Sequence, residues 1–187
     1  MSKEAEERRL YVGLDETNHG RYPEIIVAVS SLIKSDAKPL QMKGRERLNV
    51  EELIRFLANE QRGFRYLAAK KGEIERTRHQ LVVAAPYLVE HMIREMQRKL
   101  GRIDCLEILL DGDIKSGDID ELQDNLLDIK TMKKIRIANI EHYPKSEKVA
   151  YDYPKLLVAT DSLAHYLFRK HSFIEKIGAE QRRVSFG

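Results

Sequence analysis

The run from Pro23 to Ile33, PEIIVAVSSLI, is apolar almost throughout and rich in β-branched residues. A strand of that composition has no face fit for water, so it demands a covering layer on each side. That demand selects a layered α/β arrangement over a one-sided sheet or a helical bundle. The preceding run, Leu10 to Thr17 (LYVGLDET), reads as a second strand, joined to the first through Asn18, His19, Gly20 and Arg21, a composition that favours a turn. The two form an expected hairpin.

Further along, Phe64 to Ala69, Ile103 to Leu110 and Lys133 to Ile140 carry strand patterns. Helical spacing marks Val50 to Asn59, with Asn49 as its cap, and Thr77 to Leu100, where Leu81, Ala85, Leu88, Met92 and Met96 recur on one face. Asp118 to Ile129 and Pro154 to about Lys170 complete the helices, and Lys34 to Asn49 reads as a polar loop. Three strands with short links, then strand–helix–strand units with right-handed crossovers, predict a mixed five-stranded sheet of order 3-2-1-4-5 with helices on both faces. The strand ending at Asp15 lies at its centre. We read residues 1–187 as one domain with a small helical insertion near 45–62 and a polar, basic tail after Gly178.

Charge narrows the function classes. There are 33 Lys and Arg against 30 Asp and Glu, a net +3 in 187 residues, so self-repulsion does not keep the chain unfolded, and contact with nucleic acid is permitted without being required. No apolar run approaches the ~20 residues of a membrane-spanning helix, so no membrane partner is expected. The charged opening, Met1 to Arg9, leads into a strand rather than a signal-peptide core, and a cytoplasmic location is expected. Cys105 is the single cysteine and lies in an apolar strand, where it reads as a small core residue. Phosphate loops, dinucleotide-binding glycine motifs, HExxH and CxxC are all absent from the sequence.

Acidic residues in apolar settings carry the chemistry. Asp15 and Glu16 end the central strand, Asp111 ends Ile108-Leu109-Leu110, and Asp161 interrupts the apolar helix Leu156 to Phe168. Adjacent parallel strand ends border the usual ligand crevice of an open α/β sheet, so Asp15 and Asp111 are expected to meet there, with Asp161 above them. Crowded carboxylates repel unless cations neutralise them, which points to a hard divalent ion, Mg2+ or Mn2+. Each acid also has a plain structural reading as a turn cap or a solvated charge, and strand alternation points Glu16 away from Asp15. The combination carries the argument. A basic series, Lys43, Arg45, Arg47, Arg62, Arg65, Lys70, Lys71, Arg76 and Arg78, is a candidate phosphate-tracking face or an ordinary solvated one.

These segments resemble the ribonuclease H-like superfamily. YVGLDETNHG at Tyr11 to Gly20 is similar to the first motif of type 2 ribonucleases H, LLDG at Leu109 to Gly112 to the second carboxylate motif, and ATDSLAHYL at Ala159 to Leu167 to the last. A related branch with an Asp-Glu-Ser opening and an Ala-Asp helix motif is at least as close. The resemblance implies the three-layer fold of that superfamily and a two-metal phosphodiesterase. In it Asp15, Asp111 and Asp161 hold two ions, Glu16 assists one, and His165 shuttles a proton or binds a water. It also implies RNA, DNA or a hybrid as partner, contacted by His19, Arg21, Lys70 and Lys71. Asn18-His19 stands where type 2 ribonucleases H carry Gly-Arg, so the resemblance does not extend to ordinary hybrid cleavage. A noncatalytic member that binds nucleic acid or protein is the main alternative, and a hydrolase of small phosphoesters a third.

Overall fold

The computed structural model describes residues 7–17, 22–44, 46–74, 79–146, 148–169 and 178–185. Strands β1 (Arg9–Glu16) and β2 (Glu24–Ser31) pair antiparallel, with Asp15 opposite Val27. β4 (Arg62–Ala69) pairs antiparallel with β2, whereas β5 (Cys105–Asp111) pairs parallel with β1 and β6 (Arg136–Tyr143) parallel with β5. Every residue of β2 is buried, as its unbroken apolar run requires.

Alternation along β1 divides the interior into two layers. Leu10, Val12 and Leu14 pack with α3 (Gln80–Leu100) and α4 (Ser116–Leu127), while Tyr11 packs with α5 (Lys155–Arg169) and α2 (Val50–Leu57) on the opposite face. Asn49 caps α2 as expected: its side chain accepts from the Glu52 N–H while the Glu52 carboxylate accepts from the Asn49 N–H.

The strand count and order are corrected. The sheet has six strands, β6-β5-β1-β2-β4-β8, because the two-residue β8 (Arg183–Val184) adds beside β4. A pair of residues has no periodicity to read, yet Val184 is buried in the α3 layer, so the polar tail closes a sheet edge. The segment 34–49 is also more structured than a loop: it holds a short helix α1 (Lys34–Ala37) and a strand β3 (Pro39–Met42). β3 pairs antiparallel with β7 (Tyr151–Pro154) in a separate two-stranded sheet whose partners lie too far apart in sequence for local pattern to reveal. Strand β6 starts later than its alternation suggested because Lys130–Lys134 forms a 3₁₀ turn. Among the described residues, no helix is long and apolar enough to cross a membrane.

Gly13 fixes the distance between the sheet and α5. A Cβ there would lie 2.8 Å from the Thr160 hydroxyl and 3.2 to 3.3 Å from Leu157 and Leu156, so only glycine lets the helix approach this closely. Asp161, next to Thr160, is thereby brought down to the ends of β1 and β5.

Candidate metal centre

Asp15 leaves the penultimate position of β1 and Asp111 the last position of β5, two neighbouring parallel strands, and Asp161 descends from the first half of α5. One oxygen from each lies within 4.8 Å of the others, a spacing at which three carboxylates can share an ion. All three are at least nine-tenths buried, at 6%, 9% and 4% exposure. Gly112, with φ of +95°, turns the chain away directly after Asp111 and donates its N–H to the Tyr143 carbonyl.

The cluster is surrounded by partners. The Lys145 ammonium lies 2.6 Å from Asp111 Oδ2 and 2.9 Å from Asp161 Oδ1. Arg47 donates from Nε to Asp161 Oδ2 at 2.7 Å, and the Tyr153 hydroxyl donates to Asp111 Oδ1 at 2.8 Å. Asp15 Oδ1 accepts the Glu16 N–H at 2.8 Å. Glu16 points to the α3 face of the sheet by alternation, yet its Oε2 is buried with no hydrogen-bond partner.

These contacts set the protonation pattern. Burial, then the Asp111 charge, pushes the Asp15 carboxyl well above the carboxylate range, with Lys145 offsetting only part of the effect. Glu16 is pushed up to about 7 by burial and again by Asp111. Asp161 behaves oppositely: burial would raise it, but hydrogen bonds and charge from Arg47 and Lys145 prevail and hold it at about 2. Burial and the Asp111 charge raise the Tyr153 phenol, which stays a neutral donor. Four carboxyl groups therefore face two cations, and of the four Asp15 and Glu16 are the ones whose protons are held most strongly.

The structure thus gathers Asp15, Asp111 and Asp161, with Glu16 beside them on the other face. His165 lies one helical turn beyond Asp161 with its ring 5.5 Å from that of Tyr166, and it is not part of the three-carboxylate group. Lys70 and Lys71 are exposed just beyond β4, at the sheet end that also carries Glu16, since Glu16, Ile26 and Leu67 are in register across β1, β2 and β4. His19, Arg21, Arg45, Arg76 and Arg78 lie outside the described residues. Three other members of the basic series are committed inward: Arg47 to Asp161, Arg62 to the buried Asp36 at 2.7 Å and Arg65 to the buried Glu95 at 2.8 Å. They do not form a free phosphate-tracking face.

Sequence reading missed Lys145 and Tyr153. Both sit in KSEKVAYDYP, a stretch without periodicity: Lys145 reaches the cluster two residues after Tyr143, which pairs with Asp111 in the β5–β6 register, and Tyr153 reaches it on β7, paired with β3. Neither a scan against protein-family models nor a search of curated proteins returns a match to this chain.

Proposed function

We propose that this chain is a divalent-metal-dependent nuclease that hydrolyses phosphodiester bonds in RNA or DNA. The observation that carries the reading is the meeting of three buried aspartates from β1, β5 and α5 at the ligand-binding end of the sheet, beside a fourth carboxyl with an unpartnered buried oxygen. A donor set made only of carboxylate oxygens fits Mg2+ or Mn2+; the three aspartates come close enough to share one ion, and a second would draw on Glu16, which starts from the other face of the sheet. Bound there, such ions would supply Lewis-acid activation of water and stabilisation of the leaving oxygen. Asp15, Asp111 and Asp161 are the expected ligands, with Glu16 assisting. Arg47 orients Asp161, and Tyr153 orients Asp111 through its hydroxyl, so the carboxylates are pre-positioned by contacts outside the ion's own shell. Lys70 and Lys71, exposed at the same end of the sheet, are suited to hold a polyanionic strand.

One observation favours the rival reading, a noncatalytic module of the same fold that binds nucleic acid or protein. Lys145 already spans Asp111 and Asp161, so the cluster has a resident cation. A cleavage screen over RNA, DNA, RNA–DNA hybrids and branched DNA, with Mg2+ or Mn2+, separates the two. Metal-dependent cleavage that falls at least about a hundredfold in Asp111→Asn supports the nuclease. Binding without cleavage on every substrate, unchanged in that variant, supports the module.

A further inference from the structure

We infer that Lys145 is an exchangeable plug for the metal centre: its ammonium fills the gap between Asp111 and Asp161 in the metal-free protein and must withdraw, with the segment that carries it, when a divalent ion binds. The inference rests on the metal reading above and adds how loading of that site is controlled.

The placement of the ammonium carries the argument. It contacts the same two carboxyl groups that, with Asp15, come close enough to share an ion, at 2.6 and 2.9 Å. A divalent ion seated between those carboxylates would lie within roughly 4 Å of the ammonium in a partly buried setting, where like charges repel strongly. Lysine and ion therefore compete for one position. Arg47 is placed differently. It holds Asp161 in a fork, Nε to Oδ2 at 2.7 Å and Nη2 to Oδ1 at 3.4 Å, so it keeps its grip on that carboxylate as an outer support when the lysine leaves Oδ1.

Lys145 belongs to the polar connection between β6 and β7, in which Lys148, Val149 and Ala150 are exposed and, among the described residues, Ser146 accepts from the N–H groups of Lys148 and Val149 of the same connection. The long flexible stem of lysine lets the charge travel several ångströms at small cost in backbone change. The Lys145 side chain, 19% exposed, ties this connection to Asp111 and Asp161, while Tyr143 just before it stays paired with Asp111 in the β5–β6 register. Losing the lysine contact frees the connection, and gaining an ion takes over its neutralising role.

Calorimetric Mn2+ titration of the wild type and Lys145→Met, with hydrogen exchange of residues 145–150 in the wild type with and without Mn2+, tests the plug. The expected results are Mn2+ affinity at least about tenfold higher in Lys145→Met, because the competing cation is gone, and faster exchange over 145–150 when the wild type is saturated. Equal or weaker affinity in a folded Lys145→Met overturns the inference. So does unchanged or slower exchange in the saturated wild type, a readout that stands even if the variant fails to fold. Absence of binding heat in both proteins removes the metal reading and the plug with it, an outcome distinct from a wild type that binds and a variant that binds no better.

Discussion

Glu95 and the aspartate cluster are both buried, acidic and ringed by cations, yet their charge balances run in opposite directions. Glu95, 3% exposed on α3, is met by Arg65 at 2.8 Å, Lys99 at 2.5 Å and Arg182, so one carboxylate faces three cations. Burial works to raise it, but Lys99 and Arg182 prevail and hold the carboxyl below its ordinary range. At the cluster, four carboxyl groups share Lys145 and Arg47, and Asp15 and Glu16 are pushed upward. The first arrangement has cations in excess of its one carboxylate and ties the tail to α3 through Arg182. The second lacks positive charge in the metal-free protein, which is the condition that favours a divalent cation.

That contrast is broken or sharpened by four perturbations. Glu95→Gln should have the largest effect, because it leaves three cations packed without their counter-charge. A loss of about 3–5 kcal/mol is expected from thermal or urea unfolding. Gly13→Ala should come next, costing about 1–3 kcal/mol as the added methyl meets Thr160 and pushes α5 from the sheet. It should also weaken Mn2+ binding by lifting Asp161. Intact Mn2+ affinity in that variant would show that the Gly13 contact does not set the site.

The pH dependence contributed by Glu16 and by Glu95 should have opposite signs. The folded-state pKa of Glu16 lies above its unfolded value, so its contribution is fully present at low pH and is lost as pH rises from 4.5 to about 7. Asp15 adds to the same trend. Melting temperature of the metal-free protein should therefore decline across that window, and Glu16→Gln should flatten the decline. Glu95 is shifted downward, so its contribution is present above 4.5 and is lost as pH falls through its folded value, a loss that Glu95→Gln should abolish. The smallest effect is expected for Asp15→Asn without metal. Relief of repulsion should leave the melting temperature unchanged or raise it by about 2–4 °C. A clear drop would mean that Asp15 is structural, like Glu95.

Much of the architecture was legible because it rests on short-range pattern. β1, β2 and α3 are long enough for alternation or helical spacing to speak, and Asn49 announced its helix through capping chemistry. The elements that escaped are short and stabilised at a distance: β8 has two residues, and β3 depends on β7 far along the chain. The site divides in the same way. Asp15, Asp111 and Asp161 were visible as acids in apolar surroundings. Lys145 looks like any lysine of a polar connection, and Arg62 and Arg65 look like surface charges until the buried Asp36 and Glu95 are found behind them. Which cation answers which acid is a tertiary fact, and residue type does not encode it.

Calorimetric titration of Mn2+ into the wild type and Asp15→Asn, each shown to be folded, tests the central claim most directly. Replacing the carboxylate by an amide of nearly equal volume removes a charged oxygen ligand and little else. Saturable binding in the wild type, with a metal-induced rise in melting temperature, and at least about a hundredfold weaker binding in Asp15→Asn is the predicted result. Negligible heats and no shift in melting for either protein would contradict it and leave a buried carboxylate cluster neutralised by Lys145, Arg47 and its own protons.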